Sequence, residues 1–282
     1  MRTEQSTQLK ELVREKYSQI ADQTKQQNET SCCGAGGCCE TIDYTIMADD
    51  YSKMEGYVKD ADLGLGCGLP TEFALIKAGD TVVDLGSGAG NDCFVARSLA
   101  GELGKVIGVD FTEKMIEKAR QNARQLGFKN VEFRQGDIEN LPLAGGVADV
   151  VVSNCVLNLV PDKKQAFAEM FRVLKTGGHF SVSDIVISGS LPEGLRDSAE
   201  LYAGCVSGAI QRSEYLSLLE EAGFKNVHVQ KEKRIVLPDA IVRQYLTEDS
   251  GKEFQSGATG IFSITVYGEK PEACCGPGCC GK

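Results

Sequence analysis

The sequence predicts an α/β protein whose central sheet is parallel and doubly wound. Between residues 81 and 187, short apolar runs alternate with segments that have helical spacing of apolar residues. The first run leads directly into three glycines at alternate positions, Gly86, Gly88 and Gly90. Aspartates close or follow the later runs. These observations indicate buried parallel strands whose carboxyl ends share one edge, as in a Rossmann-like sheet.

Each element follows from its own pattern of apolar residues. Apolar runs predict seven strands, at residues 81–85, 105–109, 131–135, 148–153, 179–187, 227–236 and 261–267. Helical periodicity predicts helices at residues 7–23, 162–174, 213–221 and 238–246, and two more that begin near Asp92 and Thr112. Residues 195–210 predict a helical insert.

Composition limits the possible partners and location of the chain. Its 282 residues carry a net charge of −10, which disfavours nucleic acids and anionic membranes as partners. No run of apolar residues is long enough to span a membrane, and the polar first ten residues do not resemble a signal peptide. We therefore expect a cytoplasmic protein.

Changes in composition divide the chain into four parts. Residues 1–48 predict an N-terminal helix and a flexible arm rich in cysteine, and residues 49–188 predict the cofactor-binding core. Residues 189–270 predict a C-terminal part with the helical insert and the closing strands, and residues 271–282 form a second cysteine-rich segment.

The glycine turn distinguishes between two classes of cofactor. A dinucleotide fingerprint has the spacing Gly-x-Gly-x-x-Gly, but here Asn91 occupies the position of the third glycine. Asp84 would repel a pyrophosphate but suits a ligand with an ammonium group. Asp110 lies 20 residues after Gly90, where a carboxylate can accept hydrogen bonds from ribose hydroxyls. We therefore expect S-adenosylmethionine and no NAD, the alternative being a glycine turn without a ligand.

Four candidate cofactor-binding residues, Asp84, Asp110, Asp137 and Asn154, end predicted strands at the edge where open α/β sheets bind ligands. Asp137 could bind an exocyclic amine and Ile138 could cover a base, although an ordinary turn explains the same residues. The full candidate set is Asp84, Gly86, Ser87, Gly88, Gly90, Asp110, Met115, Asp137, Ile138 and Asn154.

Twelve cysteines are unusual for a chain with a cytoplasmic composition, and clustered thiols there favour metal or redox chemistry. Cys155 directly follows Asn154, so we expect it beside the ligand. Cys93 falls inside a predicted helix and fits a buried small hydrophobe. Cys67 lies between two glycines, which suits an exposed and reactive thiol.

Conventional catalytic bases are scarce. His179 and His228 are the only histidines, and neither has an evident carboxylate partner in the sequence. A methyl acceptor that already holds a lone pair, and is gathered by thiolates, would need no such base.

Several motifs together resemble the arsenite S-adenosylmethionine methyltransferases, over about residues 13–270. The motifs are Gly64-Leu65-Gly66-Cys67-Gly68, Asp84-Leu85-Gly86-Ser87-Gly88-Ala89-Gly90-Asn91-Asp92, Gly136-Asp137-Ile138-Glu139 and Ser153-Asn154-Cys155-Val156-Leu157-Asn158-Leu159. The resemblance implies a class I methyltransferase fold with a seven-stranded sheet.

The resemblance also implies roles for four cysteines. Cys155 and Cys205 match the pair that binds arsenic, and Cys67 matches the third thiol, so As(III) would be the substrate. Cys39 best matches the fourth thiol, which in the family forms a disulfide with the third, although Cys38, Cys33 and Cys32 are rivals.

The family chemistry implies that cysteines supply electrons to arsenic, form a disulfide and are reset by a thioredoxin-like or glutathione reductant. The run Cys274, Cys275, Cys279 and Cys280 departs from the family pattern. Each run could serve redox exchange, trap metalloid or bind zinc adventitiously. Two other functions stay open: a methyltransferase of a small metabolite, and a non-catalytic thiol protein that binds metalloid or exchanges electrons.

Overall fold

The computed structural model describes residues 2–30, 49–190, 208–236 and 259–272. Within these residues, seven strands form one sheet in the order β3-β2-β1-β4-β5-β7-β6. The strands are β1 (Thr81–Leu85), β2 (Lys105–Asp110), β3 (Val131–Gln135), β4 (Ala148–Asn154), β5 (Leu174–Ser188), β6 (Lys225–Arg234) and β7 (Gly260–Glu269). All seven predicted strands are present, and the predicted α/β fold class is confirmed.

The expectation of a parallel sheet is wrong for one strand. All pairs among β1 to β5 are parallel, whereas β7 is antiparallel to both β5 and β6. The alternation of strand and helix that produces parallel crossovers continues through the helix Arg212–Glu221 to β6, and the antiparallel strand β7 follows β6 in the sequence. An antiparallel neighbour needs no crossover helix, so β7 can insert between β5 and β6.

Helices cover both faces of the sheet. One face packs a core around Phe94, Ile116 and Ala119, and the other packs a core around Phe167, Met170 and Tyr215. The described helices are α1 (Arg2–Ala21), α2 (Lys25–Thr30), α3 (Pro70–Phe73), α4 (Asn91–Ala100), α5 (Glu113–Gln125), α6 (Lys163–Val173) and α7 (Arg212–Glu221). This three-layer arrangement leaves the carboxyl ends of β1 and β4 side by side at the centre of one edge.

The N-terminal helices lie over that edge. Ile20 and Ala21 of α1 pack with Leu63, Ala89 and Met115 in a small apolar cluster. α1 contacts α5, so this helix covers part of the central crevice.

The predicted flexible arm begins with a helix, so the expectation is wrong for residues 25–30. Lys25 Nζ lies 2.7 Å from Asp62 Oδ2, and Asn28 Nδ2 donates to the carbonyl of Leu63 at 2.8 Å. These contacts hold α2 against the loop that leads to Cys67.

Other sequence expectations fall outside the described residues. These are the cysteine run at residues 32–39, the greater part of the helical insert, the helix at 238–246 and the cysteine run at 274–280. The division of the chain at residues 48, 188 and 270 stays a prediction. Among the helices that the structure describes, none combines the length and apolar character needed to cross a membrane.

Candidate functional site

An open cavity lies at the carboxyl ends of β1 and β4 and contains about 1110 Å³ of empty space, its mouth included. It is the point where helices leave the sheet toward opposite faces, which is where open α/β sheets bind ligands. Eight of the ten predicted cofactor residues line it, together with Cys155: Gly86, Ser87, Gly88, Asp110, Met115, Asp137, Ile138 and Asn154. The cavity therefore gathers most of the set expected from the sequence.

The glycine turn forms one wall of the cavity. Gly86 adopts φ +74°, and a Cβ there would lie 2.3 Å from Cγ2 of Val156. Only glycine therefore lets β1 pass so close to the segment after β4. Two side-chain atoms of this wall, Ser87 Oγ and Asn91 Oδ1, are buried without a hydrogen-bond partner among the described residues. Buried polar atoms usually have partners, so these two fit a polar ligand such as S-adenosylmethionine.

Asp110 is held rigidly at the end of β2. Its carboxylate accepts hydrogen bonds from the backbone N–H groups of Gly88 at 3.0 Å and Thr112 at 2.8 Å. Burial raises the pKa of Asp110, and these two backbone donors partly offset that effect. The side chain joins the glycine turn to the start of α5, so its position is set before any ligand binds.

Two predicted cofactor residues do not line the cavity. The carboxylate of Asp84 lies inside the fold, where it accepts a hydrogen bond from Cys93 Sγ at 3.2 Å. Gly90 faces the aromatic rings of Phe94 and Phe133, each 2.9 Å from the position of an added Cβ. Both residues are therefore turned away from the cavity, and the cofactor-binding role expected of them stays a prediction. Strand alternation and the turn of the chain direct them into the core.

A carboxylate that the candidate set omitted lies at the cavity instead of Asp84. Asp92, in the first turn of α4, lines the cavity and accepts a hydrogen bond from Tyr51 Oη at 2.9 Å. Burial raises the pKa of Asp92 to about 6, although hydrogen bonds from Tyr51, Asn154 and Thr71 oppose this shift. The position of Asp92 at a helix N-terminus was visible in the sequence, but nothing local indicated Tyr51.

Asp137 and Ile138 lie at the other end of the cavity, next to α1. Lys10 of α1 forms ion pairs with Asp137, at 2.6 Å, and with Glu139. Ile138 is buried and presents an apolar side chain to the cavity. Lys10 and Tyr17 also line the cavity, so α1 forms part of the binding site. The sequence indicated an amphipathic helix here but not which surface it covers.

Asn154 connects the cofactor cavity to the loop of Cys67. Its Oδ1 accepts from the backbone N–H groups of Cys67 at 3.0 Å and Gly68 at 3.3 Å. Its Nδ2 donates to the carbonyl of Gly68 at 2.9 Å and to Asp92 Oδ2 at 3.2 Å. A Cβ on Gly66 would lie 2.6 Å from this Nδ2. The amide of Asn154 therefore holds the loop and also joins it to Asp92.

Cys67 is completely buried, so the expectation of an exposed thiol is wrong. Neighbouring glycines leave its own loop bare, but other segments cover it. The hydroxyl of Ser263 in β7 donates to the carbonyl of Cys67, and Leu65 and Gly66 of the same loop line the cavity while Cys67 does not. The loop therefore packs against the sheet instead of projecting into solvent.

Cys155 lies in the cavity wall directly after β4, as expected from the sequence. Its backbone has φ +59°, a left-handed conformation that is costly for a residue with a Cβ. A hydrogen bond from its N–H to the carbonyl of Ser183, at 2.8 Å, holds this conformation. Strained backbone of this kind is frequent where a side chain must be aimed at a ligand.

Cys67 and Cys155 share one neighbourhood. The pKa of Tyr215 is raised first by burial, then by Asp184, and further by both Cys67 and Cys155, so the two cysteines lie within electrostatic range of the same hydroxyl. Cys93 is also buried, as expected, but it lies against Asp84 beneath the cavity. Cys39 and Cys205 lie outside the described residues, so their predicted roles stay predictions. Neither His179 nor His228 lines the cavity.

This arrangement combines a site for a nucleoside-like ligand with thiols at its edge. Thiolates are soft ligands and bind soft metal and metalloid centres. The cavity therefore provides the elements needed to transfer a group between a nucleoside cofactor and an atom held by sulfur.

Comparison with known proteins agrees with this interpretation. Residues 76–223 match the family described as "Methyltransferase domain". An arsenite methyltransferase of Halobacterium salinarum is 42% identical over 78% of this chain and 58% of its own length. One of Aquipseudomonas alcaligenes is 32% identical over 91% of this chain and 72% of its own length.

A solved structure shows the same fold. The crystal structure of an arsenic(III) S-adenosylmethionine methyltransferase from Chlamydomonas reinhardtii has a TM-score of 0.62 and 36% sequence identity. The match covers 73% of this chain and 68% of that one. This chain thus spans little more than half of the Halobacterium relative. By fold, motifs and similarity, the chain belongs to the arsenite methyltransferase family.

Proposed function

We propose that this protein transfers methyl groups from S-adenosylmethionine to trivalent arsenic held by the thiolates of Cys67, Cys155 and Cys205. One observation carries the proposal. Asn154 lines the cofactor cavity, holds the backbone of Cys67 and directly precedes Cys155 in the cavity wall. A nucleoside site and a thiol site are thus connected through a single side chain.

The residues around the cavity fit the cofactor. S-adenosylmethionine, when bound, supplies an electrophilic methyl group on a positively charged sulfur. Asp110 would accept hydrogen bonds from ribose hydroxyls, and Ile138 would cover the base, with Asp137 near its amine. Ser87 and Asn91 would hydrogen-bond polar atoms of the ligand, and the carboxylate of Asp92 suits a cationic group.

The chain contributes mainly the position of the arsenic. Arsenic bound by three thiolates keeps a lone pair that can act as the nucleophile. Since Cys155 lies in the cavity wall, arsenic on its sulfur would face the cofactor cavity. Holding two reactants in this way converts a bimolecular reaction into an effectively unimolecular one. No general base is needed, which agrees with the location of both histidines outside the cavity lining.

The redox part of the proposal concerns Cys39 and Cys67. Methyl transfer raises arsenic formally from the trivalent to the pentavalent state, and two thiols that form a disulfide return two electrons. Both ends of the segment that carries Cys39 are attached near the Cys67 loop, by Asn28 to Leu63 and by Tyr51 to Gly68 at 3.1 Å. A thioredoxin-like or glutathione reductant would reset the disulfide by thiol exchange. A cytoplasmic location, where such reductants are found, completes the proposal.

The direct test is to incubate the purified protein with arsenite, S-adenosylmethionine and a dithiol reductant, and then to separate the arsenic species. We expect methylated arsenic and an equivalent amount of S-adenosylhomocysteine. Changing Cys67, Cys155 or Cys205 to serine should abolish both products. Cys93→Ser is the matched control, because Cys93 is buried but does not line the cavity, and it should retain activity.

Two results would contradict the proposal. Arsenite binding without formation of S-adenosylhomocysteine would identify a thiol protein that only sequesters metalloid. Methylation of a quinone or sterol that survives all three serine substitutions would identify a methyltransferase of a small metabolite.

A further inference from the structure

The segment that carries Cys155 is attached to two consecutive residues of β5. At its start, the N–H of Cys155 donates to the carbonyl of Ser183 at 2.8 Å. At its end, the backbone of Asn158 lies close enough to the carboxylate of Asp184 to oppose the rise in the pKa of that group. The four residues from Cys155 to Asn158 are thereby held at both ends against one strand. Asp184 is the side chain that completes this attachment.

The Asn158 peptide is held from its other side as well. Lys163, at the start of α6, donates from Nζ to the carbonyl of Asn158 at 3.0 Å and to that of Val160 at 3.1 Å. The Asn158 peptide thus lies between side chains of opposite charge, Lys163 on one side and Asp184 on the other. Leu159 and Val160, in the same turn, line the cofactor cavity.

Asp184 is itself fixed in place. It is completely buried and accepts a hydrogen bond from the hydroxyl of Tyr215 in α7 at 3.1 Å. Tyr215 is also completely buried. A carboxylate in such surroundings is stabilised only by its hydrogen-bond donors and by a nearby cation such as Lys163. Burying a carboxylate costs free energy that an apolar side chain at the same position would not cost. The presence of Asp184 there therefore indicates a specific positional role.

A third segment of the chain packs against the Asn158 peptide. A Cβ on Gly208 would lie 1.7 Å from the carbonyl oxygen of Asn158, so the backbone at Gly208 touches this carbonyl directly. The Asn158 peptide is therefore also enclosed on the side of Gly208.

We infer that Asp184, supported by Lys163 and Tyr215, is a positioning residue that aims Cys155 at its substrate by holding the Asn158 peptide. Since this rests on the proposed function, the substrate is As(III). Asp184 touches neither cofactor nor substrate, so its effect should appear in arsenic binding and not in cofactor binding.

The test compares Asp184→Ala with Glu169→Ala. Glu169 is a matched control, because it is a buried carboxylate in α6 that accepts a backbone N–H, that of Leu141, at 2.7 Å and does not line the cavity. We expect Asp184→Ala to raise the KM for arsenite about 10-fold or more, in line with the loss of a charged hydrogen bond. The affinity for S-adenosylhomocysteine should change less than twofold. Asp184→Asn keeps an acceptor oxygen, so its KM for arsenite should stay close to that of the wild type.

A second measurement does not depend on arsenic. The rate at which iodoacetamide alkylates Cys155, followed by peptide mass spectrometry, should rise in Asp184→Ala and stay unchanged in Glu169→Ala. If the wild type makes no methylated arsenic but alkylation responds as expected, the proposed function fails and the positioning role stands. Equal effects of the two alanine variants, or none from Asp184→Ala in either measurement, would overturn the inference.

Discussion

Asn154 and Cys67 are 87 positions apart in the chain, and a 3.0 Å hydrogen bond joins the side-chain oxygen of the first to the backbone N–H of the second. The adjacent residue, Cys155, lies in the wall of the cofactor cavity. One asparagine therefore sets the position of one thiol through its side chain and of another through its backbone. The following predictions concern this connection and the residues around it.

Asn154→Ala should separate the Cys67 loop from the cavity. A buried N–H that loses its acceptor costs about 1–3 kcal/mol, so kcat/KM for arsenite methylation should fall by about 5- to 150-fold. The comparison is Asn130→Ala, since Asn130 also tethers loop carbonyls, those of Gly101 and Gly104, but lies away from the cavity. The measurement is methylation at varied arsenite concentration. An equal loss in both variants would mean that Asn154 serves stability alone.

Asp110→Asn should weaken cofactor binding. The change removes the negative charge that would bind ribose hydroxyls and that Gly88 and Thr112 hold in place. Hydrogen bonds to a charged group contribute about 1.5–3 kcal/mol, so the Kd for S-adenosylhomocysteine should rise about 10- to 100-fold. Titration calorimetry measures this directly. Glu113→Gln, at an exposed acidic residue three positions on, serves as the control, and an unchanged Kd in Asp110→Asn would contradict the assignment.

Gly86→Ala should destabilise the protein and close the cavity. The added methyl would meet Val156 at 2.3 Å in a residue that already has positive φ. Left-handed strain costs about 1–3 kcal/mol, and the collision adds a comparable amount. Gly101→Ala introduces the strain without the collision, because nothing lies within 4 Å of the added carbon there. Urea unfolding should therefore show a larger loss in the free energy of unfolding for Gly86→Ala than for Gly101→Ala. Equal losses in the two variants would argue against a close approach at Val156.

Asp184 should make stability depend on pH. Burial raises the pKa of its carboxyl from 3.8 to about 7, so the native state takes up this proton more readily than the unfolded chain does. The raised pKa of Asp184 therefore makes its largest contribution to the free energy of unfolding below pH 4. That contribution is lost as the pH rises toward and through 7. Urea unfolding measures the free energy of unfolding of the wild type and of Asp184→Asn between pH 4 and 8. The two free energies should change differently with pH in this range. Parallel curves would show that Asp184 does not titrate there.

Much of the fold was predictable because it depends on local patterns. Apolar runs gave the seven strands to within a few residues, and the glycine turn gave the position of the cavity. Cys155 could be placed beside the ligand because the carboxyl ends of parallel strands meet at one edge, whatever the remaining side chains do. The motifs also sufficed to identify the family, which the comparisons confirm.

Contacts between distant segments were not predictable in this way. Asp84 and Cys67 show the limit: both occur in the expected motifs, yet Asp84 faces Cys93 and Cys67 lies under β7. Which way a strand-end carboxylate points, and what covers a loop, depend on neighbours far away in the chain. The network of Tyr51, Asp92 and Asn154 has the same origin.

The sequence by itself determined where the strands lie along the chain, the glycine turn, the carboxylate of Asp110 and the thiol after β4, because short-range periodicity and spacing encode them. Only the tertiary structure decided that β7 runs antiparallel, that Cys67 is buried and that Asp92 takes the place expected of Asp84 at the cavity. The physical reason is that burial and side-chain direction are set by packing between segments, and a single buried hydrogen bond can join residues whose separation carries no local pattern.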